Sequence, residues 1–100
     1  MKLEDIPFHD ATLKSIYFKW AERTCIIDIS IWNFPNSVLF FNNVTEIIIP
    51  RQDEWGPSSS INKVRNIGTN LFEIEIQSGD VIRINASEWS FDQKISDKDI

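Results

Sequence analysis

Residues 71–86, Leu-Phe-Glu-Ile-Glu-Ile-Gln-Ser-Gly-Asp-Val-Ile-Arg-Ile-Asn-Ala, constrain the fold more than any other stretch, because they specify a β-hairpin together with its register. Take Gly79 as the left-handed residue that closes a three-residue turn, Gln77-Ser78-Gly79, with a bulge after it. Ile74 then faces Ile82, Phe72 faces Ile84, and on the other side Glu73 lies opposite Arg83 as an exposed, weak pair. A two-residue Ser78-Gly79 loop sets Ile74 against Arg83 and buries a charge, so that register is rejected. The hairpin makes the chain antiparallel β, with one face of the sheet buried and one wet.

One hundred residues form a single domain over 1–100, with an N-terminal arm at 1–11 and a flexible polar tail at 93–100. Seventeen isoleucines against three alanines and four leucines favour strands, since β-branched side chains fit a pleated surface. The net charge of −5, with acids spread along the chain and no basic cluster, argues against nucleic acid and anionic membrane as partners. It suits solubility or a basic protein partner. The single cysteine, Cys25, excludes an internal disulfide and a Cys-rich zinc site. The N-terminal stretch has no apolar run fit for a signal peptide, and no segment reaches the ~20 apolar residues of a membrane span. The expected location is the cytoplasm.

A second hairpin is expected from Thr12–Trp20 and Thr24–Trp32, which both alternate. A four-residue loop, Ala21–Thr24, pairs Trp20 with Cys25, Phe18 with Ile27 and Ile16 with Ile29. Asn33–Asn36 is expected to turn, and Ser37–Phe41 and Val44–Ile49 to follow as strands. Val38–Phe41 and Ile47–Ile49 are apolar on both faces, as in a strand covered on both sides or an edge covered by a partner. Residues 60–67 read as a strand, although Ile61, Val64 and Ile67 leave a helical turn open. Ala86–Phe91 is a last short strand with Trp89 and Phe91 on one face. The predicted architecture is all-β: a two-layer antiparallel sandwich or strongly curved roll of seven to eight short strands.

Candidate chemistry is sparse. His9-Asp10 offers a base beside a carboxylate, and Ser58-Ser59-Ser60 offers hydroxyls. Adjacent residues on an extended segment point to opposite faces, however, and there is no Gly-x-Ser-x-Gly elbow. Glu73 and Glu75 share one strand face, where Arg83 opposite is the plainer account. One histidine and a core cysteine cannot supply a zinc site, no loop matches a calcium motif, and no cofactor-binding motif is present. Trp55, ahead of Gly56-Pro57, is either a binding platform or the plug of a sandwich end. The second face of the first hairpin is half apolar and half polar: Leu13, Tyr17, Ile26 and Trp32 beside Ser15, Lys19, Asp28 and Ser30. That mixture suits an interaction surface or the underside of a covering loop. Tyr17, Trp32, Trp55 and Asp28 are therefore the candidate partner-binding residues.

Phe8-His9-Asp10-Ala11, a strand ending in Trp20, Trp55-Gly-Pro-Ser-Ser-Ser-Ile-Asn62 and Ile74-Glu-Ile-Gln-Ser-Gly-Asp-Val-Ile82 carry a resemblance. Over about Phe8 to Trp89 the chain resembles a group of small bacterial proteins, mostly uncharacterised, several of them grouped with immunity proteins of polymorphic toxin systems. The resemblance implies a β-rich cytoplasmic binding protein that neutralises a toxin by occluding it, and it implies no catalytic residue. The expected function is thus a non-enzymatic protein-binding domain without cofactor or metal, whose partner is a toxin or a second copy of the chain. The alternative is a small-ligand-binding or hydrolytic β domain using the Trp55–Ser60 loop with His9.

Overall fold

The computed structural model describes residues 2–52 and 56–93. Among them are eight strands: β1 Thr12–Lys19, β2 Thr24–Ile31, β3 Phe34–Asn42, β4 Glu46–Ile48, β5 Ile61–Ile67, β6 Leu71–Ile76, β7 Val81–Asn85 and β8 Glu88–Asp92. They form two antiparallel four-stranded sheets, β1-β2-β3-β8 and β4-β7-β6-β5. The sheets meet at one corner, where Thr12 bridges Ser60 and the Ile61 N–H donates to the Ala11 carbonyl. They do not close into a barrel.

The β6–β7 hairpin has the register its sequence specifies: Ile74 opposite Ile82, Phe72 opposite Ile84 and Glu73 opposite Arg83. Gly79 has φ +106°, and its N–H donates to the Ile76 carbonyl across the turn. Asp80, buried behind the turn, accepts from the Ser78 hydroxyl and from the Gln52 N–H, tying the turn to the segment after β4. A Cβ at Gly79 meets a backbone conformation that L-residues avoid, so Gly79→Ala should destabilise by about 1 kcal/mol or more in urea unfolding. An unchanged midpoint would contradict the turn.

The core lies between the sheets. Cys25, Ile27, Ile29 and Ile31 of β2 and Leu39 and Phe41 of β3 face Val64 of β5, Phe72, Ile74 and Ile76 of β6, and Ile82 and Ile84 of β7. All of these side chains are buried, as strict alternation requires. The Phe41 and Phe72 ring centroids are 4.9 Å apart and bind one sheet to the other. Residues 2–11 do more than lead into β1. Leu3, Ile6, Phe8 and Ala11 are buried, and Phe8 stacks edge-on against Phe91 of β8 at 5.7 Å.

Cys25 is fully buried, and burial pushes its thiol up from 9.0 to about 11. The folded chain therefore holds this proton more tightly than the unfolded chain does. Its contribution to stability is complete below pH 9 and is lost as pH rises through about 11. Native protein at neutral pH should resist thiol reagents and react on denaturation; rapid labelling of the native state would contradict this packing.

Several local expectations are corrected. The first hairpin pairs Phe18 with Cys25 and Ile16 with Ile27, two residues out of the predicted register. Its loop starts at Trp20 and turns at Arg23, which has φ +55°, so Trp20 leaves the ladder and stands 84% exposed instead of facing the core. A bulge between Leu13 and Ser15 then reverses the alternation, which brings Leu13 to the core side. The β2–β3 connection is a two-residue turn, Trp32-Asn33, rather than residues 33–36, and left-handed Asn33 (φ +71°) makes it possible. Of 44–49 only Glu46–Ile48 is strand, whereas at 60–67, where strand and helical turn were both open, Ile61–Ile67 forms the strand β5.

Candidate functional site: the outer face of the first sheet

Cross-strand pairing fixes what the solvent side of the first sheet displays. Tyr17 lies opposite Ile26, Ile26 opposite Phe40, and Phe40 opposite Ser90, giving one row across four strands. The next row runs Ser15, Asp28, Val38 and Asp92. Side chains directly opposite in such rows sit about 5 Å apart, so Tyr17, Ile26 and Phe40, with Val38 two residues along β3, make one continuous apolar patch. Tyr17 is 57% exposed, whereas Ile26, Val38 and Phe40 are half-buried by their neighbours. Among the described residues no strand or helix packs over this face. Asp28 borders the patch, with one carboxylate oxygen accepting from the Ser15 hydroxyl at 2.7 Å.

Two of the candidate partner-binding residues, Tyr17 and Asp28, are thus neighbours on one face. Trp32 is not beside them. It stands 87% exposed in the β2–β3 turn, six residues along from Ile26, which is about 20 Å at the rise of a strand. Trp55 lies outside the described residues. Sequence reasoning missed Val38 and Phe40, although their signal was present: the run apolar on both faces. Its inner side, Leu39 and Phe41, is covered by the second sheet, and its outer side is the patch.

The second sheet's outer face carries a charged network, with Ile48 and Ile67 exposed beside it. Glu73 is buried and holds two arginines, Arg65 Nη2 at 2.7 Å on one oxygen and Arg83 Nε at 3.0 Å on the other. Glu75 accepts from Asn62 Nδ2 at 2.5 Å and lies 3.7 Å from Arg65 Nη2. The exposed Glu73–Arg83 pair expected from sequence is therefore a network around a sunken carboxylate, because Arg65 on β5 covers it from the other side. Reversing one charge there sets two carboxylates face to face. Arg83→Glu should cost about 1–2 kcal/mol by chemical denaturation, rather than the few tenths of a surface pair.

The hydrolytic alternative asks His9, Asp10 and Ser58 to converge. His9 Nδ1 is 3.0 Å from the Asn62 carbonyl, and Asp10 accepts from Gln77 Nε2 at 2.7 Å. Left-handed Asp10 (φ +69°) does bring its carboxylate to 3.6 Å from His9 Nε2, which an extended backbone would not. Ser58 is elsewhere: its hydroxyl oxygen accepts from the Ser60 N–H, and it lines a separate hollow with Ile16, Ile76 and Ile82. Ser58 and the His9–Asp10 pair line different hollows among the described residues. Among the described residues, no three His, Cys, Asp or Glu side chains gather as a metal site, and no helix is long and apolar enough to cross a membrane.

No protein-family model matches the chain, and no curated protein matches it. Among solved structures, an uncharacterized protein from Neisseria gonorrhoeae has the same fold. That likeness has a TM-score of 0.57 at 18% identity and covers 85% of this chain and 92% of the other. At that identity the likeness is one of architecture: the two-sheet arrangement recurs in a bacterial protein of similar extent.

Proposed function

We propose that the chain is a non-enzymatic, cytoplasmic protein-binding domain that docks its partner on the outer face of the first sheet. The observation that supports this reading is the Tyr17–Ile26–Phe40 row. A central strand carrying a phenylalanine and a valine on its solvent side, beside a protruding tyrosine, leaves apolar area that a protein partner would bury. Ser58 lines a different hollow from His9 and Asp10, which favours this reading over the hydrolytic one. The resemblance to immunity proteins supplies the class of partner, a toxin domain whose active surface this face would occlude. Asp28 and Asp92 border the patch, and a basic partner would be drawn to them at a rate that falls with added salt.

The test is co-expression with the product of the gene immediately upstream. A stable complex and rescue of growth are expected, with both lost in a chain bearing Tyr17→Ala and Phe40→Ser. Absence of both complex and rescue in the wild type, with the purified chain a monomer, would remove this reading. A self-associating chain whose dimer is split by the same substitutions would make the partner a second copy.

A further inference from the structure

The β2–β3 turn and the residues ahead of β1 flank an open hollow of about 640 Å³, lined among others by Pro7, His9, Asp10, Trp32 and Pro35. We propose that this hollow takes a cationic side chain, an arginine guanidinium, of the protein partner; the proposal rests on the protein-binding reading and gives it a specific contact. Three features converge on a cation.

Among the described lining residues, the Asp10 carboxylate is the one fixed charge, and no Lys or Arg lines the hollow. The nearby Lys14 ammonium is engaged at the Pro35 carbonyl, 2.9 Å away. One carboxylate is too few ligands for a hard metal ion. Trp32 presents its indole almost wholly to solvent. An electron-rich ring face with a carboxylate nearby attracts a flat, weakly hydrated cation, and the guanidinium can stack on the ring while its N–H groups reach the carboxylate. The prolines offer apolar walls for the methylene stem of an arginine.

The Asp10 carboxylate is also held in place before any partner arrives. Asp10 and Asn33, on either side, are two of the non-glycine residues in the left-handed region, where such residues are uncommon and cluster at functional sites. Asp10 is fixed by its N–H to the Ile61 carbonyl at 2.8 Å and by the Gln77 amide on Oδ1. His9 Nε2 lies 3.6 Å from Oδ2, and His9 is itself anchored at the Asn62 carbonyl.

The experiment needs no partner. Nitrogen-15-labelled protein is titrated with N-acetyl-arginine methylamide while the Trp32 indole N–H, assigned by its loss in Trp32→Leu, is followed by NMR. N-acetyl-norleucine methylamide and methyl glucoside serve as an apolar and a sugar control. The arginine probe should move the Trp32 indole and the Gln77 side-chain amide saturably, and Asp10→Asn should weaken its binding about two- to fivefold. Asparagine tolerates the left-handed backbone and can keep the Gln77 bond, so this variant should fold. Equal shifts from the norleucine or glucoside probe, no loss of affinity in Asp10→Asn, or an unmoved Trp32 indole would each overturn the proposal. Such a failure leaves the outer-face reading intact, whereas a partner that still binds when Tyr17 and Phe40 are replaced removes that reading and leaves the cation preference of the hollow standing.

Discussion

Phe41→Ala is expected to destabilise the fold by about 3–5 kcal/mol, the range for truncating a fully buried aromatic. Phe41 has no solvent exposure and sits between Cys25 on β2 and Trp89 on β8, with the Phe72 ring of the other sheet at 4.9 Å. Removing it takes away its buried apolar area and leaves a cavity at the contact between the sheets, which β-strands pinned on both sides can collapse only in part. Since a domain of this size has about 5–15 kcal/mol in all, the variant should unfold at a much lower urea concentration and temperature. The adjacent residue provides the contrast. Phe40 faces the solvent side, so Phe40→Ala should cost much less, and equal costs at 40 and 41 would mean that the faces of β3 are wrongly assigned.

The second large effect concerns binding. Tyr17→Ala should weaken the complex with the partner about 30-fold or more, the scale of a central aromatic anchor, while leaving thermal stability nearly unchanged. Tyr17 is more than half exposed in the free chain, so little of the fold depends on it. In the complex its ring would be enclosed with Ile26 and Phe40, where the contact is most fully freed of water. The same substitution at Trp20, in the β1–β2 loop with its ring edge-on to Phe18 at 5.9 Å, should change affinity little. Isothermal titration of the three proteins against one partner preparation separates these outcomes.

How much of this was legible in the sequence differs from element to element, for physical reasons. The β6–β7 hairpin could be read to the residue because a charge, Arg83, would be buried in the wrong register and a glycine marks the turn. In the β1–β2 hairpin nothing penalised a shift of two residues. Such a shift keeps every side chain on its face, and Trp20 is as acceptable to alternation inside as outside. The bulge at Leu13–Ser15 was invisible for a related reason, since Leu13 lies between residues whose spacing fits either face. At Glu73 the missing partner was Arg65, eight residues away on a strand whose pairing the sequence left open between strand and helical turn. The binding face was half legible. Tyr17 and Asp28 follow from the alternation of one hairpin, but Phe40 joins them only through the β2–β3 register, which depends on a turn at Trp32-Asn33 instead of at the Asn- and Pro-rich stretch beyond it.

The abundance of isoleucine offers a direct reading of which face meets the partner. Ile26 points outward in the apolar row, Ile27 and Ile29 point into the core, and Ile48 and Ile67 are exposed on the second sheet. In the complex, with only the isoleucine methyl groups of this chain protonated, saturating the partner's resonances should attenuate the Ile26 methyl strongly. Ile27 and Ile29 should be spared, and so should Ile48 and Ile67. Attenuation at Ile48 or Ile67 with Ile26 untouched would place the interface on the other sheet and contradict the account.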